Sequence, residues 1–167
     1  MNQTLTRVSE KRRILAIDPG NEFSAYTLYL DGVVLVADKV LNAELLLDII
    51  PGLSYDVVAI EMVACYGMPV GATIFETCVW IGRFKQTCFE RDTKTYFVFR
   101  RQVKMHLCHS AKAKDSNVRQ AIIDLYPAIG GGSTPQIGTK KKPGPLYGIS
   151  ADMWASLGVA ITFDETM

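Results

Sequence analysis

Residues 24–38 read SAYTLYLDGVVLVAD, two β-branched and aromatic runs joined by Asp31-Gly32. That dipeptide suits a two-residue hairpin turn, whose central positions need positive φ, so the stretch predicts two antiparallel strands. Just before it, RRILAID at 12–18 is a short apolar run of the kind buried within a sheet and predicts a third strand. The chain therefore opens as a meander. NAELLLDII follows as a short helix, with Asn42 as its N-cap and Pro51-Gly52 as its stop, and DVVAIE at 56–61 is the next strand. PVGATIFETCVWIGRFKQTCFE predicts a long helix that is apolar on more than one face. YFVFR is a fifth strand, RQVKMHL and KDSNVRQAIIDLY are two further helices, and SADMWASLGVAITF is a last helix capped by Ser150. Between them, PAIGGGSTPQIGTKKKPGPLYG lacks periodicity and predicts a long mobile loop. The order β-β-β-α-β-α-β-α-α-α predicts an α/β fold, a five-stranded mixed sheet flanked by helices on both faces.

At 167 residues and 49% hydrophobic the chain has enough apolar surface for one core. We assign residues 13–167 to a single domain and residues 1–12 to a flexible N-terminal tail. Four cysteines show no C-x-x-C pairing, which argues against a zinc ribbon or a disulfide framework and for reduced core thiols in a cytoplasmic protein. The N-terminus has no apolar h-region and no stretch is long enough to span a bilayer, so neither secretion nor a membrane partner is expected. Net charge is only +1, yet the basic residues cluster at 11–13, 100–101, 112–114 and 139–142. A balanced total can hide a basic face for nucleic acid.

Two predicted strands end in a carboxylate, Asp18 and Glu61, and Asp152 lies in the first turn of the last helix. Strand ends in an open α/β sheet point into the crevice where sites form. Taken singly, each residue has a bland explanation, as a turn former or a partner of the helix dipole. Brought together, three carboxylates resist ionisation unless a cation neutralises them, and hard oxygen ligands suit Mg²⁺, with Mn²⁺ as a substitute. Two such ions can activate water and stabilise the leaving oxygen of a phosphodiester.

ILAIDPGNEFSAYTLYLDG resembles the opening of RuvC-type Holliday-junction resolvases of the ribonuclease H-like superfamily, and VVAIEMVACYGMPVG is similar to their second motif. KAKDSNVRQAIIDLY resembles their basic segment and GISADMWASLGVA their C-terminal motif. The likeness runs from about Arg13 to Phe163, and GTKKKPGPLYG looks closest to phage-encoded members. It implies a ribonuclease H-like fold, metal ligands at Asp18, Glu61 and Asp152, and magnesium-dependent cleavage of DNA that leaves a 5′-phosphate, in the cytoplasm of a cell or phage host. It also implies branched DNA as partner, with no nucleotide cofactor. Such resolvases usually carry a fourth acidic or histidine ligand three residues before the last Asp, and here that residue is Ile149. Either Asp115, or less readily Glu22, supplies it, or three carboxylates suffice; Asp115 also reads as a helix cap.

Lys112, Lys114, Arg119 and Lys140, Lys141 and Lys142 flank the carboxylates in sequence and are the candidate DNA-binding residues. Phe23, Tyr66 and Tyr147 are candidates for stacking on bases. HLCH at 106–109 lacks a second ligand pair for zinc, though His109 could meet phosphate, and GGGS at 130–133 is no phosphate cradle. A four-way junction has two-fold symmetry, which calls for a homodimer, and the helix at 71–90 is the expected interface. Flap or RNA–DNA hybrid cleavage, and a non-catalytic DNA-binding module, are the competing readings.

Overall fold

The computed structural model describes residues 11–167. Five strands form one sheet: β1 Ile14–Asp18, β2 Phe23–Leu30, β3 Val33–Leu41, β4 Val57–Met62 and β5 Thr95–Phe99, in the order β3-β2-β1-β4-β5. The meander β1-β2-β3 is antiparallel, while β4 and β5 join parallel on the other side of β1. Central strands covered on both faces read as continuous apolar runs. Accordingly Ile14, Leu15, Ala16 and Ile17 are fully buried, and polarity begins only at Asp18.

Helical segments are α1 Asn42–Glu44, a π-helical turn Leu45–Ile49, α2 Ile50–Gly52, α3 Ala72–Glu90, α4 Arg100–Cys108, α5 Asp115–Asp124 and α6 Met153–Thr166. Side-chain alternation divides the core in two. Ile14, Ala16, Val57 and Ala59 face α4, α5 and α6. Leu15, Ile17, Val58 and Ile60 face α3 and the helical turns at 42–52. α6 is apolar nearly all round because it is buried nearly all round, from Trp154 to Phe163. Of its two buried hydroxyl residues, Ser156 is matched by Thr27 on β2 at 2.7 Å, while the Thr162 hydroxyl is buried without a partner. No helix among the described residues is long and apolar enough to cross a membrane.

Several expectations are corrected. Asn42 is the first residue of α1, not its cap: its amide donates to the Gly20 carbonyl at 2.9 Å and accepts from the Ser24 hydroxyl at 2.5 Å. Asp152, not Ser150, precedes α6 as N-cap. Arg100, expected to end a strand, is the first residue of α4. Of the cysteines Cys88 is buried, whereas Cys65 and Cys78 are exposed. The expected tail falls mostly on residues 1–10, outside the described residues; Lys11 pairs with Asp31 at 2.8 Å and Arg12 lies over the Phe163 ring.

The expected mobile loop is a compact, internally bonded segment. Gly131 N–H reaches the Lys142 carbonyl at 2.8 Å, Gly144 N–H the Ile137 carbonyl at 2.9 Å and Leu146 N–H the Gln136 carbonyl at 2.9 Å. Glycine here permits backbone to meet backbone. At Gly138, where φ is +78°, a Cβ would lie 2.2 Å from the Gly144 nitrogen. Leu146 and Ile149 anchor the segment in the core, and Lys140, Lys141 and Lys142 stand exposed around a turn closed by the Gly138–Pro143 bridge.

Candidate active site

The parallel register of β1 and β4 sets Ile17 against Ile60, so the next residues, Asp18 and Glu61, stand side by side at the C-terminal ends of the two strands. Both share the face of Ala16 and Ala59, toward α4, α5 and α6. Three helix starts meet them there: Arg100 begins α4, Asp115 begins α5 and Asp152 caps α6. Asp18-Pro19-Gly20 turns sharply out of β1, and a Cβ at Gly20 would fall 2.3 Å from the Phe23 carbonyl oxygen. Gly20 N–H donates to the Ser24 hydroxyl at 3.2 Å, which with Asn42 pins the turn that holds Asp18.

Burial pushes the Asp18 carboxyl up to about 8, helped by the charges of Glu61 and Asp152 and opposed by Arg100 and Lys39. Glu61 is also raised, first by burial, while Arg100 pulls it back. Glu61 and Asp152 thus both act on Asp18 electrostatically. Asp152 is nevertheless engaged, its carboxylate accepting from Lys39 Nζ at 2.5 Å. Asp115 accepts from Arg100 Nη2 at 2.5 Å, which holds its carboxyl below the usual range. Glu61 Oε2 lies 3.9 Å from Arg100 Nη1, and both atoms are buried with no hydrogen-bond partner.

Among the described residues no three His, Cys, Asp or Glu side chains are gathered closely enough to cage a metal ion as they stand. The donor set fits a hard divalent cation in chemistry: carboxylate oxygens only, one of them a buried orphan, in a place where burial penalises negative charge. Asp18 and Glu61 would hold it, with Asp152 joining by exchanging its bond to Lys39.

Lys39 and Arg100 are site residues that the sequence reading missed. So are Arg101 and Lys104, which with Tyr66, Arg100 and Ala111 line an open groove of about 260 Å³. Their signal was faint: the pair at 100–101 was visible as charge, not as part of the site. Of the expected DNA-binding residues, Lys112, Lys114 and Arg119 are exposed, and Arg119 lies over the Trp154 ring at 5.0 Å. Glu22 is exposed on the turn before β2. Tyr66 and Tyr147 are largely exposed, as is Phe23. His106 is engaged with Glu165 at 2.5 Å, and His109 ends α4 in the left-handed conformation, so HLCH serves helix packing and termination. Ile149, in the place of the fourth ligand, is 9% exposed and part of the core.

A mixed sheet of this order, with carboxylates at the ends of β1 and β4 and helices on both faces, is the RuvC/ribonuclease H-like α/β fold. Two solved structures carry the comparison. The structure of Thermus thermophilus RuvC superposes with a TM-score of 0.63 at 18% identity, over 89% of this chain and 91% of its own. T. thermophilus RuvC in complex with a Holliday junction substrate gives a TM-score of 0.65 at 16% identity, over 90% and 92%. No family model and no curated protein matches the sequence.

Proposed function

We propose that this chain is a metal-dependent endonuclease that cuts branched DNA, four-way junctions foremost. The observation that carries the reading is the pairing of Asp18 with Glu61 at adjacent strand ends, beneath Asp152, on the fold shared with RuvC. Asp18 and Glu61, with Asp152, would hold Mg²⁺, which would supply Lewis acidity toward a phosphodiester and an activated water. Asp18 and Glu61 orient that centre, and the rigid turn at Gly20 keeps Asp18 from swinging into solvent. Arg101 and Lys104 draw the phosphate backbone toward the crevice, with Lys112, Lys114, Arg119 and Lys140 to Lys142 extending the cationic surface. Tyr66 offers a ring beside the groove on which an unpaired base can stack.

A homodimer completes this reading, because paired nicks in a two-fold junction need two sites. α3 supports it: Thr77, Ile81, Phe84 and Cys88 pack against the sheet, while Phe75, Val79 and Phe89 remain exposed. The test is a cleavage panel of four-way junction, flap, RNA–DNA hybrid and duplex, with and without Mg²⁺. Junction cleavage by wild type is expected to fall at least about a thousandfold in Asp18→Asn and Glu61→Gln. Preference for flap or hybrid would move the substrate to those classes. Binding of junctions with no metal-dependent cutting would make the chain a DNA-binding module, a role to which the cations already paired with Asp152 and Asp115 would suit it.

A further inference from the structure

The carboxylate site carries its own cations. Lys39 is bonded to Asp152, and Arg100 stands between Asp115 and Glu61. Arg100 differs from a surface arginine in three respects. Its side chain is only 24% exposed, and Glu61 opposite it only 16%. It is the first residue of α4, directly after β5, whose Val98 is in register with Glu61, so the backbone aims it into the crevice. Its Nη2 is tied to Asp115 at 2.5 Å, while Nη1 is buried, unpartnered and turned toward Glu61 across 3.9 Å, too far for a hydrogen bond. Arginine stays charged at any pH the protein meets, so this is a permanent positive charge.

Counted together, Asp18, Glu61, Asp152 and Asp115 bring four negative charges, and Arg100 and Lys39 two positive ones. One divalent ion held at Asp18 and Glu61 therefore brings the site to neutrality. A second ion would need a further acidic ligand: among the described residues Ile149 lies in the apolar core, and Asp115 could serve only by releasing Arg100, whose half-buried guanidinium would then lose its anchor, whereas the more exposed Lys39 can leave Asp152 for water. A second ion would also approach a fixed guanidinium of like charge.

We propose that Arg100, anchored by Asp115, is the resident counter-cation of this site, so that the chain takes one divalent ion and a guanidinium stands where a second ion would otherwise be needed. Asp115 is then a positioning residue for Arg100 and no metal ligand. This rests on the reading of the site as one for a divalent cation.

The test is Mn²⁺ binding to the full chain without DNA, followed by equilibrium dialysis and by the electron paramagnetic signal of free Mn²⁺. Wild type is expected to bind one ion per chain. Arg100→Gln, which removes the charge and keeps a polar side chain, should bind the single ion at least about tenfold more tightly. Arg100→Lys keeps the charge and should keep the wild-type affinity for one ion, a rescue that also controls for folding. Asp115→Asn added to Arg100→Gln should change affinity by less than about threefold, because its partner is already gone. Two ions on wild type, no change in Arg100→Gln, or a full loss from Asp115→Asn in the double variant overturns the proposal. No Mn²⁺ on wild type removes the proposal and the nuclease reading together, whereas one ion with no DNA cleavage removes the nuclease reading alone.

Discussion

Replacing Asp18 by Asn removes the charge that the metal-free protein bears with most difficulty. The carboxyl is pushed up to about 8 in the folded protein, first by burial and then by Glu61 and Asp152; in an unfolded chain it titrates near about 4. The folded state therefore holds this proton more tightly than the unfolded state does. Stability from this group is complete below about pH 4, falls as pH rises from about 4 to 8, and is lost above that. Four pH units at about 1.4 kcal/mol each set a ceiling of roughly 5–6 kcal/mol. Asp18 is partly accessible, and water entering the crevice on ionisation reduces the effect, so we expect about 2–3 kcal/mol. For a chain of this size that raises the Tm of Asp18→Asn above wild type by about 5–10 °C at about pH 9, shrinking to nothing near pH 4. Urea and thermal unfolding in EDTA across that range measure it. Added Mg²⁺ should narrow the gap by stabilising wild type selectively. A difference that is the same at every pH, or that favours wild type in EDTA at high pH, would refute the argument that Asp18 is ionised there against burial and its acidic neighbours.

Three other outcomes follow from the same geometry. Lys140, Lys141 and Lys142 changed together to Ala should flatten the plot of log junction affinity against log salt by up to about 2.7, and a salt titration by fluorescence anisotropy reads it directly. Gly138→Ala meets both a positive φ and the Gly144 nitrogen, so unfolding should become easier by more than about 2 kcal/mol, measured by denaturant midpoint. Phe75→Glu with Val79→Lys should leave the monomer folded and lower the sedimentation mass of any dimer, since neither side chain contributes to the core.

The sheet was legible in the sequence because its signals are local: an apolar run, a hairpin dipeptide, a change of period. Asp18 and Glu61 were legible because each ends such a run. Lys39 was not, and the reason is one residue wide. With Leu30 opposite Val33, an unbroken hairpin would set Ala25 against Asp38; the irregularity between Leu28 and Tyr29 sets it against Lys39 instead. A one-residue slip turns every side chain to the other face, so the bulge puts a lysine, rather than an aspartate, on the face of Asp18. Arg100 was hidden by a boundary, since its role depends on whether the chain is still strand or already helix at that position. The segment at 127–148 misled for a different reason. Glycine and proline mark irregular backbone equally well whether it is loose or interlocked, and the interlock depends on pairs distant in sequence.

That interlock divides residues 130–146 into two kinds of position with different histories open to them. Gly130, Gly138 and Gly144 seat one another's backbone, so none can change alone, and a workable alternative needs coordinated replacement of the whole seat. The side chains of Lys140, Lys141 and Lys142 are free of that obligation, since the turn joins the interlock through its backbone and the Thr139 hydroxyl. Lysines there can be gained, lost or exchanged for other side chains one at a time without disturbing the scaffold beneath. A frozen base under a variable crown lets selection adjust the charge and shape this face presents while the carboxylates stay where they are, and it offers an engineer a defined place to graft new recognition residues.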